Sequence, residues 1–280
     1  MATHLQDDFP DAGPSAVIHP SVRVRIVDGA RPWLWLAAGW RDMMVAPWVS
    51  LIYGGCAAAA GWLLAAALGR AGAPALIVPM AAGFLLVAPV LAAGLYEASR
   101  RVERGQRVGF GAIFRGLGRN RRHLCYMGAA LTLNFLAWVR VSVILYEAWF
   151  SAAPPSMARL LDPGFVTGLA LPFLAAEIAV GLLFALVAFS LAAISVPMLV
   201  DQPVDSLTAV TTSFRAVRFN TGPMLLWAAL IVLFTGLGLA TLFAGLALAV
   251  PLIGHASWHA YRDLVIVRER RPAPAAFETR

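Results

Sequence analysis

The chain has no lysine: all 22 of its basic residues are arginine. It has only two cysteines, Cys56 and Cys125, and only 13% charged residues over a length of 280. Both cysteines fall in or beside apolar runs, which excludes a disulfide framework and a cysteine-rich metal site; they read as small buried hydrophobes. So few charges against 60% hydrophobic residues exclude a soluble domain of this size, because too little polar surface is left to cover the apolar remainder. Lipid must be part of the solvent. Lysine's absence beside abundant Ala, Gly and Arg fits a host genome rich in G and C, and a bacterial source.

Signatures of catalysis are missing too. Gly105 and Gly109 lack the strand and the Lys-Ser/Thr partner of a phosphate loop, and no nucleophile elbow or zincin pattern occurs. No enzyme activity and no cofactor are expected. The opening 20 residues carry Asp7, Asp8, Asp11 and prolines but no apolar core, so they read as a disordered cytoplasmic tail rather than a cleavable signal.

Long charge-free runs are what the chain does have. A crossing needs about 20 apolar residues, and residues 46–68, 75–96 and 124–150 meet this. The run 164–200 is interrupted by Glu177 and exceeds one upright helix, which predicts a break near Pro172. The run 219–261 must fold back, and Thr235-Gly-Leu-Gly238 is the expected hairpin. Six spans follow. Between the second and third lie Arg100, Arg101, Arg104, Arg107, Arg115, Arg119, Arg121 and Arg122, whereas the flanking gaps hold only Arg70 and only Arg159. That asymmetry places both termini in the cytoplasm of a bacterial inner membrane. The formal charge of +7 is therefore read as insertion signal and anionic-lipid contact, not nucleic-acid binding. Trp33, Trp35, Trp40, Trp48 and Trp258 read as inner interfacial anchors, and Trp149 as an outer one.

Each inner segment contains a short amphipathic stripe: Trp33, Ala37, Trp40 and Met44; Phe110, Ile113, Phe114 and Leu117; Leu207, Val210, Phe214 and Val217. The hairpin ends also match, since Pro89 to Arg100 aligns without gaps on Pro251 to Arg262, with Val196-Pro-Met-Leu199 a shorter third copy. The fold expected is an all-α membrane bundle of six helices, built as three pseudo-repeated hairpins, each preceded by an interfacial helix. The membrane domain spans 22–267, between tails at 1–21 and 268–280.

The blocks Ala38-Gly-Trp-Arg-Asp42, Gly94-Leu-Tyr-Glu-Ala-Ser-Arg-Arg101, Phe214-Arg-Ala-Val217 and Gly254-His-Ala-Ser-Trp-His-Ala-Tyr-Arg262 resemble a domain-of-unknown-function family of six-span proteobacterial inner-membrane proteins. The resemblance covers about residues 22–267, with the His-x-x-x-His segment its most specific piece. It implies topology and location and transfers no activity.

Two groups of residues are candidates for function. At the inner face, His255 and His259 share a helix face, and with Tyr96, Glu97, Trp258 and Arg262 they make one cluster. A metal or haem on the two histidines, with His123 as a third nitrogen, is the weaker reading; the stronger is a hydrogen bond from His259 to Glu97. No metal is expected. Within the membrane, Asn134, Arg140, Glu147 and Glu177 stand out, because an ionisable group there costs a few kcal/mol unless paired or wet. They read as a packing ion pair or a polar pathway. The run Gly54 to Gly61 is a small-residue surface expected to pack inside the bundle. Three functions follow: a non-catalytic accessory factor binding anionic head groups or a membrane-protein partner, a small-solute or ion transporter, and a metal- or haem-binding redox subunit.

Overall fold

A computed structural model describes residues 21–72, 77–150 and 162–268. Apart from Ser21 and Arg268, the expected tails lie outside these residues, as does the outer loop with Pro154, Pro155 and Arg159. Strand β1 (Ser21–Val24) pairs antiparallel with β2 (Val265–Arg268), so the two ends of the domain are clasped by a short ribbon that a purely helical reading does not contain. Helix α1 (Arg31–Val45) starts with Pro32 in its first turn, where a missing N–H costs nothing, and ends ahead of Pro47, which opens α2 (Pro47–Arg70).

Helix α3 (Ile77–Leu91) contains Pro89, and the chain turns just after it before α4 (Ala93–Glu103). Helix α5 (Phe110–Leu117) runs through a 3-10 turn into the 30-residue α6 (Arg121–Phe150). Asp162 then caps a single turn, Pro163–Phe165, and a π turn, Val166–Ala170, leads into α7 (Leu171–Ala192). The irregularity expected near Pro172 is this π turn, and Pro172 itself sits in the first turn of α7. Short α8 (Ser195–Asp201) precedes α9 (Ser206–Phe219), where the Asp205 side chain accepts from Thr208 N–H at 2.9 Å as an N-cap. Helices α10 (Thr221–Ala240) and α11 (Leu246–Leu264) complete the chain.

The last hairpin is not where glycine suggested. Thr235 to Gly238 stay helical, and the chain reverses after Ala240, with Leu242 and Phe243 both at positive φ (52° and 69°). Gly238 serves packing instead: a Cβ there would lie 2.7 Å from a Leu246 side-chain carbon on the returning helix.

On length and composition, four helical stretches can cross a membrane: Pro47–Arg70, Phe110–Phe150, Pro163–Asp201 and Thr221–Ala240. The two other expected spans fall on α3, whose lead-in lies outside the described residues, and on α11, whose polar half lowers its hydropathy. The long helices expose Leu133, Leu136, Leu174, Leu182, Leu233 and many like them, as lipid-facing surfaces do.

Helix α11 is the hub, packed by α1, α2, α4 and α10. Two of these contacts are backbone-close: a Cβ on Gly39 would be 2.6 Å from Ala256 N, and one on Gly54 2.0 Å from Ala247 O. Of the small-residue run Gly54 to Gly61, Gly54 and Ala58 therefore face the bundle, while Cys56, Ala59 and Ala60 are exposed. In α1 the stripe Trp33, Ala37, Trp40 and Met44 is exposed, while Trp35, Gly39, Asp42 and Met43 face the protein. Leu207 and Phe214 are likewise exposed on α9, and Phe114 on α5, although Ile113 is fully buried. Trp35 and Trp258 are corrections to the expected anchors. Both are core residues, 2% and 1% exposed, since each indole N–H has a carboxylate to bond, Asp263 and Glu103 respectively. Cys56 and Cys125, expected to be buried, are exposed on apolar faces.

Candidate functional site

The arginine-rich end of the bundle holds a buried ionic network. Glu97 on α4 has no exposed surface, and three guanidinium groups surround it: Arg100 at 3.2 Å, Arg101 at 2.9 Å and Arg119 at 2.9 Å. Arg101 Nε is close enough to pair but misaligned for a hydrogen bond. Arg100 bridges to Asp201, at the end of α8, with Nε 3.0 Å from the carboxylate. Asp201 also accepts from Arg104 and from the Tyr261 hydroxyl, at 3.1 and 2.9 Å. Arg262 then bonds Glu103, which accepts from Trp258 Nε1 at 3.0 Å. Five arginines thus meet three carboxylates. The clustering is local in origin, because Glu97, Arg100, Arg101 and Arg104 lie three or four residues apart on one helix face.

Of the inner-face candidates, Glu97, Trp258 and Arg262 take part in this network, whereas Tyr96 is buried on α4 with Ser257 as its side-chain partner. His259 does not reach Glu97. Its Nε2 lies 2.8 Å from Asp42 Oδ2 of α1, because the arginines already saturate Glu97 and α1 packs directly against α11. His255 is fully buried between two serines, with Ser50 Oγ 2.9 Å from Nε2 and Ser99 Oγ 2.7 Å from Nδ1. Ser50 donates its single proton to Ala46 O, so its oxygen accepts from Nε2–H, and Ser99 donates to Nδ1. Both ring nitrogens are occupied, and a metal on either must first displace a serine. His123 is elsewhere, against Ser206. Among the described residues no three His, Cys, Asp or Glu side chains group as metal ligands.

At the end of α11, Asp263 joins Arg31 at 2.7 Å, Arg25 at 3.5 Å and the Trp35 indole at 2.9 Å. Burial disfavours the Asp263 charge, but these donors outweigh it and hold the carboxyl below its ordinary range. Asp42, Ser50, Ser99, Glu103, Asp201 and Asp263 were not singled out from sequence. A signal existed for two: Asp42 and Asp201 are lone carboxylates at the ends of apolar runs.

The intramembrane candidates separate. Asn134 Nδ2 donates to Phe184 O at 3.3 Å, and Glu177 accepts from Ser142 Oγ. Arg140 and Glu147 are exposed and form no ion pair among the described residues. A groove of about 490 Å³ lies where α3, α4 and α5 meet the start of α6, lined by Val90, Ala93, Leu117, Leu124 and Cys125 with Arg121 as its one charge.

Residues 77–201 match the family model described as "Predicted integral membrane protein (DUF2189)". The chain is an integral membrane protein that is similar to this family over that segment. That segment runs from α3 through α8, so it includes Glu97, Arg100, Arg101, Arg119 and Asp201, the groove, and both Asn134 and Glu177. It is narrower than the resemblance over 22–267, and the His255 to His259 segment lies outside it. No curated protein and no solved structure matches the chain.

Proposed function

We propose that this protein is a non-catalytic accessory or assembly factor of the bacterial inner membrane, which binds anionic phospholipid at its arginine-rich face. The groove beneath Arg121 carries the reading: an apolar trough suits an acyl chain, and the guanidinium at its edge suits a phosphodiester. Arginine outnumbers carboxylate in the adjoining network, and Arg107, Arg115, Arg121, Arg215 and Arg218 form no ion pair among the described residues. The exposed apolar stripes of α1 and α9 suit helices lying in the head-group layer. The supporting topology is six crossings in three hairpins, α2 with α3, α6 with α7 and α10 with α11. Both termini are then cytoplasmic, and α1, α5 and α9 are the three interfacial lead-ins.

Thermal unfolding in a neutral detergent tests this. Added phosphatidylglycerol is expected to raise the melting temperature, by an amount equivalent to about 2.7 kcal/mol at a hundredfold excess over Kd. Phosphatidylcholine and inorganic phosphate are expected to do little, and Arg121→Gln to abolish the phosphatidylglycerol effect. Equal stabilisation by both lipids overturns the reading. Gentle extraction and identification of copurifying proteins tests the accessory role.

A further inference from the structure

Helices α6 and α7 meet along a polar seam in the middle of the apolar bundle. On α6 it contains Asn134, Trp138 and Ser142, spaced one turn apart and hence on one face. On α7 the matching positions are Phe184, Gly181 and Glu177. The seam's two ends are satisfied, by Asn134 donating to Phe184 O and by Ser142 donating to Glu177 Oε1. Its centre is not. Trp138 is 8% exposed, and among the described residues its Nε1–H is buried without a partner; so is the second carboxylate oxygen, Glu177 Oε2.

A donor and an acceptor, both buried and both unpaired, are each unfavourable, because neither recovers the hydrogen bond it gave up to water. Beside the indole nitrogen the surface of α7 is open at Gly181. Among the described residues, a Cβ added at Gly181, one turn from Glu177, would have a single side-chain neighbour within 4 Å, the Trp138 Nε1 atom itself at 3.8 Å. The unpaired indole nitrogen therefore lies beside the notch that Gly181 leaves in the face of α7.

We propose that this notch is a water-binding site within the membrane, with one water accepting from Trp138 Nε1–H and donating to Glu177 Oε2. Only a guest that both accepts and donates satisfies the two groups. A bare cation gives the indole N–H nothing to bond, and an acyl chain satisfies neither. The water places an exchangeable proton beside the Glu177 carboxylate, in a bundle otherwise faced with Leu, Phe and Ala. This site stands on α6 and α7 alone and is independent of the lipid groove at Arg121.

The test uses the full chain in nanodiscs with ¹⁵N-labelled tryptophan, the Trp138 indole resonance being assigned by its loss in Trp138→Phe. In the wild type that N–H is expected to show magnetisation exchange with water. The contact is expected to vanish in Glu177→Leu, which removes the acceptor, and in Gly181→Ala, which fills the notch and leaves both polar groups in the chain. Glu177→Gln, which keeps an acceptor, is expected to retain it. A variant is read when the other indole resonances are unchanged, so that a misfolded one is recognised, and Gly181→Ala serves where Glu177→Leu does not fold. A wild-type Trp138 N–H with no water contact, or one whose contact persists in either seam-closing variant, overturns the proposal.

Discussion

His259 on α11 donates its Nε2–H to Asp42 of α1 across 2.8 Å, tying the first helix to the last. Asp42 is 7% exposed, so removing His259 strands a carboxylate that water hardly reaches. Asp42→Ala and His259→Ala are each expected to destabilise by about 1–3 kcal/mol. Because the two groups share one bond, the double variant is expected to cost less than the sum. A thermal-unfolding double-mutant cycle in detergent checks this; strict additivity would show that the pair contributes nothing.

Glu97 is the pivot of the ionic network, and its removal leaves three guanidinium groups facing one another. Glu97→Ala is expected to cost about 3–5 kcal/mol. Gly116→Ala tests the same point from the other side, since its Cβ would lie 2.4 Å from Glu97 Cδ and must push the carboxylate out of its arginine cage. Both variants are expected to lower the melting temperature far more than the like-sized change Gly118→Ala, where nothing lies within 4 Å of the added methyl.

These relationships differ in how far the chain alone reveals them. The alternation of arginine-rich and arginine-poor gaps, and the three amphipathic stripes, are local patterns, and α1, α5 and α9 lie where the stripes put them. Pairing across the bundle is not local. Glu97 has arginines three and four residues away on its own helix that compete for it, so its equivalence to His259 in the aligned hairpins misleads about which groups meet. Asp42, Asp201 and Asp263 come from three separate segments and find partners only after folding. Trp138 and Ser142 carry no charge, so nothing in the sequence marks them out beside Arg140. The glycines of 235–238 mislead for a related reason: within a membrane bundle glycine serves close helix contact as often as a turn.

Acid is expected to loosen the clasp at Asp263. Its folded-state carboxyl is held below the unfolded value of about 3.9. The stabilisation is therefore present in full above the unfolded value and is lost as pH falls through the folded one. Asp205, held low by its bonds from the Thr208 hydroxyl and backbone N–H, adds loss in the same direction. Melting temperature is expected to be flat from pH 7 to about 5 and to fall below about 4, and Asp263→Asn to be less stable than wild type at pH 7. The gap between the two is expected to narrow as pH falls; a gap constant down to the folded-state titration would remove Asp263 from the acid response.

The α10–α11 turn makes a prediction of opposite sign for neighbouring residues. Leu242 and Phe243 both hold a left-handed backbone, which costs a non-glycine residue roughly 1–2 kcal/mol. Leu242 is 77% exposed and uses only its carbonyl, which accepts from Trp62 Nε1 at 2.6 Å, so glycine keeps everything the site needs. Leu242→Gly is expected to stabilise by up to about 1 kcal/mol. Phe243 is buried against Gly61, where an added Cβ would come within 2.4 Å of its ring. There the lost burial, about 1.5–3 kcal/mol or more for a phenyl group, outweighs the relieved backbone, and Phe243→Gly is expected to destabilise. Thermal unfolding of the two single variants under one set of conditions decides it. If both shifts have the same sign, either the strain at Leu242 or the packing of Phe243 on α2 is absent in the folded protein.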